Sequence, residues 1–290
     1  MAPLSKPLTA LLLLASAATG AAQPQCTTKL SPATILARLR AEPFNLATEA
    51  ALASHPFVRD AEAGNLTLAA QRAFLGEQFA IQRSDAAAFA VLAGHADWRP
   101  GASLADATLP PARDPDANDI FQFLLGGELY AASLLIAAAE ALGMGDTKTT
   151  VAERLAAWPI TSGAQGYPSF WARLALNGER AAAAAACAVN FPAWGRMCAR
   201  VRDGLTKTAP AGADNARRLG FLAFFGSPID GLDAMATAVL DAEGQGVCYE
   251  ELATSVRLLQ EYELAFWDAV YAAAGPEPRG ATPTGPEADL

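Results

Sequence analysis

The stretch from residue 248 to residue 274 constrains the fold most, because its apolar residues keep a helical spacing over about 20 positions. The spacings are four, three, seven and four along the series Leu252, Val256, Leu259, Phe266 and Val270. Glu263 divides the seven-residue gap, so a carboxylate belongs to the apolar face of this helix. An ionised carboxylate is costly to bury unless it is paired, hydrogen-bonded or protonated. Glu263 is therefore the first candidate for a functional residue.

Two architectural explanations of Glu263 stand beside the functional one. The side chain could turn out of the apolar face to the edge of the helix. It could also form a structural ion pair with an arginine such as Arg72 or Arg83, since structural pairs perturb acids as functional sites do.

The composition predicts an all-α protein with one domain over residues 31–274. Hydrophobic residues make up 52% of the 290 residues, alanine and leucine dominate them, and β-branched residues are sparse. The formal net charge is -9 and no basic cluster interrupts it, so we expect no nucleic-acid partner.

The first 22 residues have the pattern of a signal or targeting peptide. Lys6 precedes an apolar run from Leu8 to Ala18, and small residues lead to a cleavage point near Ala22. We expect the mature protein in the secretory pathway or outside the cell, with an organelle as the alternative, and without a lasting membrane span. At the other end, residues 275–290 have the composition of a disordered tail.

Four cysteines follow the predicted cleavage point: Cys26, Cys187, Cys198 and Cys248. An oxidising compartment permits disulfides, but the three pairings cannot be ranked from the sequence. Buried free thiols in a helical core are a better expectation for these residues than catalysis.

Proline, glycine and capping residues predict where the helices begin and end. A long helix is expected from Leu68 to about Ala96, and the most apolar helix from Ile120 to Leu142, joined by a proline-rich connection. A turn is predicted at Asn190–Pro192, because proline disrupts helix interiors. Ser227-Pro228 is expected to start a later helix with Asp230 in its first turn.

Further polar groups on the apolar helices are candidate site residues. Glu128 is the single acid in the first half of the most apolar helix, and the long helix carries Glu77, Gln78, Gln82 and Asp85. Helical bundles build ligand sites from such side chains on facing helices. For Asp85, a solvated or backbone-capping role is the preferred expectation.

Three segments in order resemble the TenA/PqqC family of the haem-oxygenase-like helical fold. They are His55-Pro56-Phe57, then Gly64-Asn65-Leu66 ahead of a long helix, and ELAFWDA at 263–269, within a resemblance from about Phe44 to Ala274. The resemblance implies an all-α haem-oxygenase-like multi-helical bundle. Its thiaminase II members hydrolyse thiamin-related aminopyrimidines, and Glu263 occupies the position of a catalytic glutamate three residues before the final Phe-Trp.

Other positions depart from the thiaminase II pattern. Gln78 stands where the resemblance implies a pyrimidine-binding aspartate, and Ile81 where it implies an aromatic residue. The region expected to hold the nucleophilic cysteine reads WPIT at Trp158–Thr161. Without a thiolate, the route that remains is attack by water assisted by a carboxylate.

The predicted function is therefore a TenA-type hydrolase for a small heterocycle that needs no cofactor and no metal. Its expected catalytic residues are Glu263 and Glu128. The residues expected to contact the substrate are Phe74, Glu77, Gln78, Tyr130 and Tyr167.

The sequence leaves the oligomeric state open, and a homo-oligomer is one option. Two alternative functions also remain. The chain could be a non-catalytic ligand-binding member of the fold, as loss of the cysteine and aspartate suggests. It could also be a metal-dependent oxygenase, although its two histidines, His55 and His95, are few for such a centre.

Overall fold

The computed structural model describes residues 30–99, 108–110, 119–209, 214–243 and 248–273. Within these ranges every regular element is an α-helix, which confirms the predicted all-α class. The helices are α1 Pro32–Ala41, α2 Pro43–Ala53, α3 Pro56–Ala63, α4 Leu68–Leu92, α5 Ile120–Ala141, α6 Val151–Ala156, α7 Ser162–Asn177, α8 Arg180–Thr208, α9 Asn215–Phe225, α10 Leu232–Glu243 and α11 Tyr249–Ala273. The predicted leader and tail lie outside the described residues.

Local sequence signals explain several helix boundaries. The Ser31 side chain accepts a hydrogen bond from the Thr34 amide at the start of α1, and Thr67 caps α4 in the same way through Ala70. Thr150 and Glu153 form the predicted reciprocal capping box of α6.

α4 is the central helix of the bundle. It packs against α5 and α7 along most of its length and also contacts α6 and α11. Gly76 permits the close contact with the segment before α7, because a Cβ atom there would lie 2.1 Å from the Trp158 ring. α8 and α11 close the opposite side, so polar side chains from α4, α5, α8 and α11 can meet in the interior.

α8 is one continuous helix of 29 residues, and the predicted turn at Asn190–Pro192 is wrong. Proline removes the amide that would bond to the carbonyl of Ala188, four residues earlier. Arg40 of α1 supplies a replacement, since its Nη2 donates to the Ala188 carbonyl at 2.7 Å. The same guanidinium forms an ion pair with Asp233 of α10. A partner distant in sequence thus keeps the helix intact.

The start of α10 also differs from the prediction. Asp230 lies in the turn before the helix, which begins at Leu232 after Gly231 adopts a left-handed φ of 75°. α4 ends at Leu92, a few residues earlier than expected, because Gly94 turns the chain with a φ of 89°.

Among the described helices, α5 is long and apolar enough to cross a membrane, with a mean hydropathy of 1.6 over 18 residues. It packs between α4 and α9, and 44% of that window is buried within the protein. The same composition therefore also fits a core helix.

The described cysteines fall into two groups. Cys187 and Cys198 are free and completely buried, as expected for thiols in a helical core. Cys248 is disulfide-bonded, so the expectation of a free thiol is wrong there. Cys26 lies outside the described residues.

Candidate active site

A cavity of about 1220 Å³ opens between α4, α5, α7, α8, α9 and α11. Its lining includes eight aromatic side chains: Phe123, Tyr130, Tyr167, Phe191, Trp194, Phe224, Phe225 and Phe266. The turn between α9 and α10 forms part of its rim. The volume is ample for a small-molecule ligand, and the lining resembles that of ligand pockets in having few polar groups among apolar ones.

Glu263 lies in the wall of this cavity and is 1% exposed. Its Oε1 accepts a hydrogen bond from Trp267 Nε1 at 3.3 Å, and its Oε2 accepts one from Asn190 Nδ2. Neither Arg72 nor Arg83 forms an ion pair with it among the described residues, and Arg72 instead donates to the Leu142 carbonyl. The two architectural explanations, helix edge and ion pair, therefore do not apply.

Asn190 organises the polar groups around Glu263. Its Nδ2 also donates to Gln260 Oε1 at 2.8 Å, and its Oδ1 accepts from the Tyr167 hydroxyl at 2.9 Å. Asn190, Gln260 and Glu263 are all completely or almost completely buried. One amide from α8 thus links the hydroxyl of α7 to the carboxyl of α11 and fixes its orientation.

Burial raises the pKa of Glu263 to about 8, although the hydrogen bonds from Trp267 and Asn190 act in the opposite direction. Most Glu263 side chains therefore carry a proton at pH 7. A protonated carboxyl in a cavity wall can donate that proton to a bound molecule and later accept one.

Asp85 and Glu128 form a second group of carboxyls in the cavity wall. They are 4% and 7% exposed and come from α4 and α5. Gln82 Nε2 donates to Glu128 Oε2 at 3.4 Å. Burial raises the pKa of Glu128 to about 8. Burial, together with the charge of Glu128, also raises the pKa of Asp85 well above its usual range. The expectation that Asp85 is solvated is wrong, because α5 covers that face of α4.

The predicted ligand contacts are divided between the cavity and the core. Gln78, Tyr130 and Tyr167 line the cavity, and Tyr130 is 58% exposed at its rim. Phe74 does not line it. The Phe74 ring lies behind Trp194 and Phe266, 6.2 and 5.9 Å away between ring centroids. These two rings present the aromatic wall that Phe74 was expected to provide.

Glu77 also lies outside the cavity lining. Its Oε1 accepts from the Thr161 amide at 2.8 Å and its Oε2 accepts from Gln165 Nε2 at 2.7 Å. The carboxylate therefore holds the segment before α7 against α4, which is a structural role. Because Gln78 follows directly on the helix, it points to a different side from Glu77.

No thiol lines the cavity among the described residues. Trp158 and Thr161, where a cysteine was sought, pack over Gly76 and Glu77 of α4. Cys187 is one turn before Asn190 on α8 but is fully buried. Burial raises the pKa of the Cys187 thiol well above its usual range, as does the charge of Asp85. The side chain from α8 that contacts Glu263 is the amide of Asn190.

The described residues contain no group of three or more His, Cys, Asp or Glu side chains arranged to hold a metal ion. His55 caps α3 through Nδ1, which accepts from the Phe57 amide, and its Nε2 contacts Asp268. His95 Nε2 contacts Gln122 at 3.1 Å. Neither histidine lines the cavity, so the residues present do not match the ligand set of a metal-dependent oxygenase.

Sequence reasoning missed three residues of the site: Asn190, Trp194 and Phe266. Phe266 lies one turn after Glu263 on the same face, and that spacing could have placed it in the cavity. Asn190 belongs to the segment where Pro192 suggests a turn, and Trp194 belongs to the helix expected after that turn, so the two could not be placed on one helix face.

Comparisons with known proteins add one finding. A model of the TENA/THI-4/PQQC family matches residues 46–273, from α2 to the end of α11. The comparison with curated proteins found no match. The matched range contains every residue that lines the cavity.

Proposed function

Because the chain belongs to the TENA/THI-4/PQQC family, we propose that it is a small-molecule hydrolase that cleaves a C–N bond of a thiamin-related aminopyrimidine. The observation that carries the proposal is Glu263, a buried carboxyl in the wall of an aromatic cavity, where burial raises its pKa to about 8. The resemblance of the segment ELAFWDA at 263–269 to thiaminase II members supports the proposal, because it implies a catalytic glutamate at this position.

The reaction can proceed with Glu263 as the one acid–base group. Its proton moves to the nitrogen of the leaving amine, the C–N bond breaks, and the amine departs with the bonding electron pair. Water adds to the carbon, and its proton returns to the Glu263 carboxylate. The substrate gains a hydroxyl, the amine gains a hydrogen, and the enzyme is unchanged. General acid–base catalysis of this kind contributes roughly 100-fold to 10,000-fold in rate.

The surroundings of Glu263 suit this cycle. The hydrogen bonds from Asn190 and Trp267 stabilise the carboxylate that forms after proton transfer, while burial favours the protonated state that starts it. Trp194 and Phe266 present ring faces and edges on which a flat heterocycle can stack.

The test is hydrolysis of an aminopyrimidine that bears an aminomethyl substituent, followed by ammonia release and by the hydroxymethyl product. Glu263→Gln should lower kcat by roughly 100-fold or more. Glu77→Gln is a matched control, because Glu77 is also 1% exposed but lies outside the cavity lining. Equal rates for the two variants would contradict the proposed role of Glu263.

A second function is favoured by Asn190. An amide has no nucleophilic atom, and it occupies the place on α8 that faces Glu263. A non-catalytic ligand-binding protein would retain the cavity and bind the aminopyrimidine without releasing ammonia. Tight binding with no product in the same assay would support this function over hydrolysis.

A further inference from the structure

Asp85 and Glu128 lack the partners that buried acids ordinarily have. Neither residue takes part in an ion pair within the described ranges. Asp85 Oδ1 is buried and has no hydrogen-bond donor there, although the side chain lines the cavity. The bond from Gln82 to Glu128 is long, at 3.4 Å. A buried carboxyl oxygen without a hydrogen-bond donor is unfavourable in an empty cavity.

The groups around the pair also supply no positive charge. Tyr167 of α7 and Cys187 of α8 lie close enough for the charge of Asp85 to raise the pKa of each. Gln82 of α4 is a neutral amide, and Glu263 of α11 is a further acid in the same cavity. Arg196, which also lines the cavity, pairs with Glu49 at the surface. The missing partner can therefore come from a ligand.

We propose that Asp85 and Glu128 form a binding subsite for a cationic nitrogen group of the ligand, a protonated amine or an amidinium. An amidinium is planar and carries several N–H donors, so it can satisfy Asp85 Oδ1 and the Glu128 carboxylate together. The subsite shares the cavity of the proposed hydrolase, but its binding role stands without any cleavage. Tyr167 lies near both Asp85 and Glu263, since the charges of both acids raise its pKa.

The protonation state of the pair predicts how binding depends on pH. Because burial raises the pKa of Glu128 to about 8, this carboxyl is largely protonated at pH 7 in the empty cavity, and the pKa of Asp85 is raised in the same direction. A cation favours the ionised carboxylates, so its binding releases protons to the solvent. Affinity for a permanent cation should therefore rise with pH from about 6 to 9.

The experiment compares benzamidine, which carries an amidinium, with benzamide, its neutral analogue of nearly the same shape. Isothermal titration calorimetry on the full chain gives both affinities, and two buffers of different ionisation enthalpy give the number of protons released. Asp85→Asn and Glu128→Gln are the test variants. Asp230→Asn is the matched control, because Asp230 lines the same cavity but is exposed at its rim. Thermal unfolding checks that each variant folds.

Benzamidine should bind at least tenfold more tightly than benzamide, with proton release at pH 7. Asp85→Asn and Glu128→Gln should each weaken benzamidine binding at least tenfold, whereas Asp230→Asn should change it less than twofold. If Asp85→Asn does not fold, Glu128→Gln carries the test. Equal binding of the two probes, or equal losses in Asp230→Asn and the test variants, would overturn the proposal.

Glu263→Gln separates this inference from the proposed hydrolysis. That variant should retain benzamidine binding within twofold while losing ammonia release. A wild-type chain that binds benzamidine through Asp85 but releases no ammonia would refute the hydrolase and leave the cation subsite in place.

Discussion

The replacement Glu263→Gln should change stability in opposite directions at low and high pH. Glutamine keeps the shape of the side chain and its carbonyl can accept one of the two hydrogen bonds from Asn190 and Trp267. Its NH₂ group faces the other donor, so one acceptor is lost. An unsatisfied buried group costs about 1 to 3 kcal/mol. Well below pH 4.5, where the wild-type carboxyl is protonated in both folded and unfolded chains, the variant should be less stable by about 2 kcal/mol.

The pH dependence follows from the raised pKa of Glu263. The folded chain holds the proton up to about pH 8, whereas the unfolded chain releases it near 4.5. The bound proton therefore adds its full contribution to the free energy of unfolding below pH 4.5. That contribution is lost as the pH rises to about 8. The slope is about 1.4 kcal/mol per pH unit, which gives about 5 kcal/mol over the whole range. Glutamine does not titrate. The free energy of unfolding of the variant should therefore equal that of the wild type near pH 6 and exceed it by about 3 kcal/mol at pH 9.

Urea denaturation of both proteins at pH 5, 6, 7, 8 and 9 measures this difference directly. The contributions of Asp85 and Glu128 cancel in the comparison, since both proteins contain them. Glu77→Gln serves as the control, because the Glu77 carboxylate accepts hydrogen bonds from Thr161 and Gln165. The stability difference between this variant and the wild type should keep the same sign from pH 5 to pH 9.

Two outcomes would refute the reasoning. A stability difference that stays constant from pH 5 to pH 9 would mean that Glu263 is ionised throughout. A loss of roughly 3 to 5 kcal/mol at every pH would mean that the substitution exposes a buried cation, as in a structural ion pair.

Three other predictions test separate features. The kcat for C–N cleavage should fall as the pH rises above about 8, because Glu263 then lacks the proton that it donates; a rate that keeps rising to pH 10 would contradict this. Gly204→Ala should lower the free energy of unfolding in urea by about 1 to 3 kcal/mol, since its Cβ would lie 2.5 Å from the Ala61 carbonyl oxygen. Gly126→Ala, whose Cβ would meet no atom within 4 Å, should raise the free energy of unfolding by about 1 kcal/mol. Protein from its native source should begin near Gln23 if the leader is a cleaved signal; an intact Met1 would reject that proposal.

The sequence predicted that Glu263 shares a buried helix face, because the apolar spacing that shows this lies within one helix. Five apolar residues at regular spacing define the buried face of α11, and no tertiary contact is needed to see that a carboxyl shares it. The helical class and the family segments were visible for the same reason, since alanine, leucine and capping residues act locally.

Asp85 and Asn190 could not be placed in this way. Both faces of α4 are apolar, so the side that Asp85 occupies depends on how α5 packs against it. Asn190 precedes a proline, and local rules predict a turn there. The helix continues because Arg40, about 150 residues earlier, reaches the Ala188 carbonyl. Such a contact leaves no periodic signal in the sequence.

The contact from Arg40 has a consequence for how this chain could vary in evolution. The family match begins at residue 46, so α1 and its arginine lie outside the matched range. Pro192, in contrast, lies inside it and lines the cavity. The bond from Arg40 to the Ala188 carbonyl compensates for the amide that proline lacks at that position. A related chain without α1 should therefore carry a residue with a backbone amide in place of Pro192, and the two features should be gained or lost together.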